Sequence, residues 1–204
     1  MELYEAVACR RTVREFRPDP VSQEILRRVL GAGLKAPSNA HVKPWQFILL
    51  SDREKRRRAL AEGLQARDMK DPAEIDRFLE RFSDEPLKEV YRRALPVQLT
   101  MMIEAPELLI VCTKMRPLAD CHTLFQLNPL ASVWMCIQNI MLAMAAEGLF
   151  GCTYTPYDSS GLKLALVVPP GWEVAAVIPF GYPKVLPTPN QDEDLDSRLH
   201  IDAW

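Results

Sequence analysis

The densest group of reactive side chains lies near the amino terminus, in the run Arg10-Arg11-Thr12-Val13-Arg14, with Arg17 just beyond it. Four guanidinium groups within eight residues make a positive patch beside the hydroxyl of Thr12. Guanidinium groups donate hydrogen bonds in pairs and, together with a hydroxyl donor, they suit a phosphate. The pattern therefore indicates a phosphate-binding segment, and a solvated basic turn is the alternative that composition alone favours.

A second candidate segment is the loop at residues 36–45, with the sequence APSNAHVKPW. Prolines bracket a run of small polar residues, which predicts a stiff loop with exposed hydrogen-bond donors. An ordinary connection from a helix to a strand explains the same composition. Taken by itself, the loop favours the connecting role over a binding role.

The cysteines carry less chemistry than their number suggests. Cys152 is better explained as a small buried residue than as a redox thiol. Cys121 and His122 are adjacent, but two neighbouring ligands without two more at useful spacing do not predict a metal site. The five cysteines are far apart, and none forms a Cys-x-x-Cys pair. They indicate a reducing compartment and argue against a disulfide framework or bound zinc.

Hydrophobic spacing, prolines and glycines predict the elements that position these segments. Helical spacing predicts helices at residues 3–9, 22–36, 98–104, 130–147 and 160–167. Apolar runs predict strands at residues 45–50, 108–112 and 173–180. The charged segment 52–95 holds amphipathic helices with a break near Asp71-Pro72. This order of elements predicts an α+β or α/β fold with a small sheet.

Length and charge restrict the class of protein. A chain of 204 residues, 48% of them hydrophobic, suits one domain over residues 1–204 or one protomer of an intimate dimer. A net charge of −2 gives no field that favours nucleic acid or an acidic membrane, so neither is expected as a partner. The amino terminus does not look like a signal peptide, and polar residues interrupt the most apolar stretch, 133–149. We therefore expect a cytoplasmic protein.

Four motifs together resemble the nitroreductase family. An R-R-[ST]-x-R cluster at residues 10–14 is followed, about twenty residues later, by A-P-S-x-x-[NH]-x-x-P-W at residues 36–45. Asn139 lies in a long apolar helix that ends in Gly148-Leu149, and the closing strand ends in Gly181-Tyr182-Pro183. The resemblance covers both ends of the chain and leaves residues 53–95 unmatched.

The resemblance implies an α+β sandwich, in which helices flank a small, mostly antiparallel sheet, and an intertwined homodimer with two FMN molecules in its interface. Residues 66–104 would form a variable helical lid, and residues 184–204 an extended tail. The implied reaction is ping-pong hydride transfer, in which NADH or NADPH reduces FMN and FMN reduces a nitroaromatic, a quinone or a similar electron-poor molecule.

The resemblance also implies site residues, and none of them acts as a catalytic side chain. The flavin phosphate and ribityl chain would be held by Arg10, Arg11, Thr12 and Arg14. The FMN of the other subunit would be reached by Pro37, Ser38, Asn39 and His41. The flavin ring would lie along Thr153, Tyr154 and Thr155, with the backbone N–H of Thr155 facing N5. Gln98 would touch the pyrimidine end of the ring.

The chain departs from the commoner family pattern at several of these positions. His41 stands where asparagine is usual, and Thr155-Pro156 where several relatives have glutamate and glycine. The tail offers Thr188-Pro189-Asn190-Gln191 and then an acidic run where a basic pair often completes the phosphate clamp. Either the amino-terminal arginines suffice or Arg198 folds back. Losing one charge-assisted contact costs roughly 1.5–3 kcal/mol, which predicts weaker retention of FMN.

Two alternatives to the reductase remain open from the sequence. One is a different flavin reaction on the same fold, such as dehalogenation, dehydrogenation of an azoline or fragmentation of the flavin. The other is a flavin-binding protein without turnover.

Overall fold

The computed structural model describes residues 1–64, 71–190 and 194–204. The helices within these residues are α1 (Leu3–Cys9), α2 (Gln23–Gly33), α3 (Arg53–Leu64), α4 (Pro72–Leu79), α5 (Glu85–Glu104), α6 (Asn128–Ala146) and α7 (Ser160–Ala165). The strands are β1 (Trp45–Leu49), β2 (Glu107–Lys114), β3 (Phe150–Gly151) and β4 (Trp172–Gly181).

The four strands form one antiparallel sheet in the order β1-β2-β4-β3. The interior strand β2 pairs with β1 on one side, where Trp45 lies opposite Thr113, and with β4 on the other, where Leu109 lies opposite Ile178. A strand covered on both faces requires a continuous apolar run, and residues 108–112 of β2 supply it. The predicted small antiparallel sheet is confirmed.

Helices cover both faces of this sheet. Helices α2 and α6 pack over the face that carries Leu109, Val111 and Ile178. Helices α3, α5 and α7 lie on the opposite face, whose core includes Leu108 and Ile110. Successive residues of β2 enter different cores because side chains alternate along a strand. The predicted α+β sandwich is confirmed.

Helix α6 is the apolar helix predicted near residues 130–147. With the short 3₁₀ turn before it, the stretch Leu124–Ala146 is long and apolar enough to cross a membrane by length and composition alone. In this fold one side of α6 forms the centre of the core, where Val133 and Ile140 are fully buried. The helix ends at Ala146, and Gly148 follows it with a φ of 74° that suits glycine. The Leu149 N–H donates back to the Met144 carbonyl at 2.8 Å.

Helix α4 and the first half of α5 enclose a small separate core, made of Ile75, Phe78, Leu79, Phe82 and Leu95. The predicted break near Asp71-Pro72 is confirmed, because the Asp71 carboxylate accepts from the Ala73 N–H at 2.9 Å and Pro72 occupies the first helical turn. Residues 66–70 of the predicted lid segment lie outside the described residues.

Two features differ from the sequence-based predictions. Helix α5 is continuous through Pro96, so the predicted end at residue 95 and restart at residue 98 were wrong. Proline removes one intrahelical hydrogen bond, and the burial of Leu95 and Met101 on either side holds the helix together. Strand β3 was missed, because two residues have no periodicity and only their pairing with β4 defines the strand.

Arg56 is 1% exposed and joins three elements of the scaffold. Its guanidinium donates to the carbonyls of Leu50 at 2.7 Å, Ile103 at 3.0 Å and Pro106 at 3.1 Å, and it also contacts the Ala105 carbonyl. The last carbonyls of a helix have no partner within it. Arg56 therefore ties the end of α5 to the end of β1 and the start of β2.

Replacing Arg56 by methionine should lower the free energy of unfolding by about 3–5 kcal/mol, because several buried carbonyls lose their donor. Urea unfolding followed by circular dichroism measures the loss. Arg57→Met, on the exposed side of the same helix, is the control and should keep the wild-type midpoint. Equal midpoints for Arg56→Met and wild type would contradict this role.

Candidate functional site

An open sheet edge continues past β3 along residues 152–155. Tyr154 exchanges two backbone hydrogen bonds with Val177, of 2.8 Å and 2.7 Å. Next to such an antiparallel pair, the flanking residues direct their N–H and C=O groups to the opposite side. Thr153 and Thr155 therefore present these groups at the edge, and within residues 1–64, 71–190 and 194–204 neither N–H has a partner.

The pairing also defines the register at the edge. Pro156 has no N–H, so Thr155 supplies the last backbone donor before it. A shift by one residue would turn the Thr155 N–H into the sheet, and the pairing of Tyr154 with Val177 excludes that shift. Tyr154 commits its own backbone groups to the sheet, and burial of its side chain raises the pKa of its phenol.

The arginine-rich segment lies against this same edge. Thr12 forms a parallel bridge with Gly151, and the Val13 N–H donates to the Gly151 carbonyl at 3.1 Å. A Cβ at residue 151 would lie 2.9 Å from the Pro179 carbonyl oxygen, so glycine is needed where the strand is paired on both sides. The structure thus brings together two predicted site segments that are far apart in the sequence.

Arg14 of the arginine-rich segment interacts with the buried residue Cys152. Cys152 is buried, as expected for a small core residue, and burial raises the pKa of its thiol while the nearby Arg14 guanidinium lowers it. Arg14 also lines a cavity of about 600 Å³, together with Phe16, Thr100 and Lys184. The guanidinium therefore lies between the sheet edge and an open volume.

Some of the cations in the arginine-rich segment and near it are paired with carboxylates, and others are not. Arg17 pairs with Asp19 at 3.2 Å, and Lys184 pairs with Glu15 at 3.7 Å. Arg10 and Arg14, by contrast, have no carboxylate partner in the described part of the chain. Unpaired guanidinium groups beside a hydroxyl suit an anion with several acceptor oxygens, such as a phosphate.

The loop Pro37–His41 packs elsewhere, against the first turns of α6. The Asn39 N–H donates to the Ser132 hydroxyl at 3.1 Å, and the Lys43 N–H donates to the Ser38 hydroxyl at 2.9 Å. Ala40, His41 and Lys43 have positive φ angles of 49°, 56° and 49°. Such angles are uncommon outside glycine, although histidine and asparagine both tolerate them, so His41 can replace the usual asparagine here.

One chain does not join the two halves of the predicted site. Among the described residues, no hydrogen bond or ion pair connects Pro37–His41 with Arg10–Arg14 or with Thr153–Thr155. Pro37, Asn39 and His41 are exposed. Their predicted contact with a cofactor in another subunit stays a prediction.

Gln98 carries a buried polar atom without a partner. Its side-chain carbonyl oxygen has no hydrogen-bond donor among the described residues. Gln98 shares a face of α5 with Tyr91 and Met102. Tyr91 contributes electrostatically to the raised pKa of Tyr154, and Met102 lines a small cavity beside Tyr154. A buried oxygen left unpaired costs about 1–3 kcal/mol, so this oxygen is suited to an N–H or O–H donor from a ligand.

Another cavity, of about 290 Å³, adjoins Thr155 and Pro156. Its walls include Leu130 and Trp134 of α6 and the half-buried carboxylate of Glu173, which Lys163 holds at 2.8 Å. Apolar walls with a few polar groups are typical of small-molecule sites. Sequence reasoning did not select Glu173 or Lys184, because only tertiary packing places them at cavities.

A sequence model of the nitroreductase family matches residues 7–182. The chain belongs to the nitroreductase family. The match includes the arginine-rich segment, the loop at residues 36–45 and the sheet edge, and it confirms the resemblance inferred from their motifs.

Individual family members show the range of similarity. The chain is 25% identical to the iodotyrosine deiodinase of Daphnia pulex, over 90% of this chain and 60% of that protein. It is 28% identical to the 5,6-dimethylbenzimidazole synthase of Rhodobacter capsulatus, over 89% of this chain and 84% of that protein. The crystal structure of oxidized iodotyrosine deiodinase bound to FMN and 3-iodo-L-tyrosine matches with a TM-score of 0.72 and 22% identity, over all of both chains. This last likeness establishes the fold.

Replacing Gln98 by methionine should have two opposite effects. The flavin-free protein should become more stable by about 1 kcal/mol, because a buried unpaired oxygen is removed. Added FMN should stabilise the variant less than wild type, because the predicted contact between Gln98 and the flavin is removed. Thermal unfolding with and without FMN measures both effects, and Gln23→Met, at an exposed glutamine, is the control. A less stable flavin-free variant with an unchanged response to FMN would contradict the assignment.

Proposed function

We propose that this nitroreductase-family chain is an FMN-dependent oxidoreductase, which uses NADH or NADPH to reduce nitroaromatics, quinones or similar electron-poor small molecules. The observation that carries the proposal is the open sheet edge at Thr153 and Thr155, which lies beside the arginine-rich segment. Arg10 and Arg14 of that segment have no carboxylate partner among the described residues. An extended edge of backbone groups suits a planar ring, and the guanidinium groups suit a terminal phosphate.

The residues present fit FMN at this edge. The phosphate and ribityl chain would take donors from Arg10, Arg11, Thr12 and Arg14. The ring would take the Thr155 N–H as a donor and the unpartnered Gln98 oxygen as an acceptor. A flavin bound here supplies hydride transfer between a nicotinamide and an acceptor, while the protein orients it and adjusts its electronics. Arg14 contributes positive charge, which favours a reduced, anionic ring.

We also propose that the protein is a homodimer. Large apolar side chains are exposed on α1, near the start of α6 and in the tail, and Tyr4 is 86% exposed. Surfaces of this kind mark protein interfaces. The exposed set includes Leu3, Tyr4, Val7, Leu124, Phe125, Leu195, Leu199 and Ile201. A second copy could bring its Pro37–His41 loop to the edge that this chain leaves open.

Reductive dehalogenation is the second candidate function. It is favoured by the similarity to the deiodinase of Daphnia pulex. The small core enclosed by α4 and α5 also contacts the segment after Thr155, because the ring centroids of Phe82 and Tyr157 are 4.6 Å apart. Helices in this position can cover a substrate at the edge and so select the acceptor. The same flavin site would serve either reaction.

Protein loaded with FMN and mixed with NADH or NADPH in the absence of oxygen should lose the absorbance of oxidised flavin within minutes. Nitroaromatic, quinone and 3-iodo-L-tyrosine acceptors are then added separately, and the return of absorbance is followed together with iodide release. Fast return with the first two acceptors supports the reductase, whereas return only with iodide release supports dehalogenation. If neither nicotinamide bleaches the flavin, the reductase proposal fails. Tight binding without any turnover would then leave a flavin-binding protein, and a broken flavin ring would indicate fragmentation.

Sedimentation equilibrium of the FMN-loaded protein should give twice the chain mass of 23.2 kDa. Tyr4→Asp places a charge on the exposed apolar side of α1, so it should favour the monomer and weaken FMN retention. Leu164→Asp makes the same kind of change on α7, on the other face of the sheet, and should leave the dimer intact. A Tyr4→Asp monomer that retains FMN as tightly as wild type would show that one chain suffices.

A further inference from the structure

The tail after β4 returns to the arginine-rich segment. The Lys184 N–H donates to the Glu15 carbonyl at 3.0 Å, and the Asn190 N–H donates to the Ala8 carbonyl at 3.0 Å. The tail therefore runs antiparallel to the amino-terminal segment. Its return places Asn190 beside Arg11, whose guanidinium donates to the Asn190 side-chain oxygen.

The acceptor that holds Arg11 is neutral. An amide oxygen orients a guanidinium through one N–H and leaves its other donors available. A carboxylate in the same place would also cancel the charge, as Asp19 does for Arg17 and Glu15 does for Lys184. Asn190 therefore orients Arg11, and within residues 1–64, 71–190 and 194–204 no carboxylate pairs with its guanidinium.

We propose that Asn190 is a positioning residue for the cofactor phosphate, which acts by orienting Arg11 beside Arg10, Thr12 and Arg14 without neutralising it. This inference rests on the proposed function. The tail reaches the arginine-rich segment through the Asn190 side-chain amide, which accepts from the Arg11 guanidinium. The arrangement makes affinity for FMN, but not for riboflavin, depend on Asn190.

Dissociation constants for FMN and for riboflavin, which lacks the phosphate, test this role. They are measured by quenching of flavin fluorescence on the full-length protein. Asn190→Ala should raise the Kd for FMN about five- to tenfold, because an oriented charged donor is lost. Asn190→Asp should raise it on the order of fiftyfold, because the carboxylate neutralises Arg11 and repels the phosphate. Salt should reduce the effect of the aspartate variant. The Kd for riboflavin should stay within about twofold of wild type in both variants, since no phosphate contact is involved.

Asn190 is exposed, so neither variant removes core packing, and Thr188→Ala at a nearby exposed position is the matched control. Equal changes in the constants for FMN and riboflavin, or an unchanged Kd for FMN, would overturn the role of Asn190 while leaving the flavin site intact. Wild-type protein that binds neither flavin would overturn this inference together with the proposed function. The two failures are therefore distinguishable.

Discussion

Both backbone hydrogen bonds of Tyr154 go to Val177, and this pairing decides what the sheet edge offers to a ligand. Because backbone groups alternate along an extended strand, Thr153 and Thr155 face outwards. The other parts of the proposed site are placed relative to this edge. The arginine-rich segment is anchored to it at Gly151, and α5 packs in the same core as Tyr154 behind it.

The scaffold behind the edge is built on the buried strands β2 and β4. The interior strand β2 and the buried side of α6 fix β4, and β4 fixes the edge. Arg56 donates to backbone carbonyls at the end of α5 and before β2, and so it holds the C-terminal end of the helix that carries Gln98 against the sheet. The exposed amino-terminal segment has few core contacts of its own and is held by backbone pairing to Gly151, Tyr182 and the tail. Its arginines therefore remain available for an anion.

Helix α6 and strand β2 were predicted from the sequence, because burial requires an apolar helix in the first case and a continuous apolar run in the second. Strand β3 escaped prediction since two residues carry no period, and the continuity of α5 through Pro96 depends on tertiary packing. In the site, the motifs and the family resemblance pointed to the arginine-rich segment and to Thr155. Their meeting at Gly151 and the return of Asn190 are contacts between distant segments, which no local pattern encodes. The loop Pro37–His41 is largely exposed, but the backbone donors of Asn39 and His41 are bonded within the chain, so they are not free as predicted. Its contact with a second chain stays a prediction.

The central claim is that flavin mononucleotide binds along this edge. It is tested most directly by titrating the flavin-free protein with FMN while its backbone amide signals are followed by NMR. The amides of Thr153 and Thr155 and those of Arg10–Arg14 should shift, whereas the Tyr154 amide, which is bonded to Val177, should shift much less. Saturable shifts confined to other parts of the chain, with Thr155 unchanged, would contradict the account.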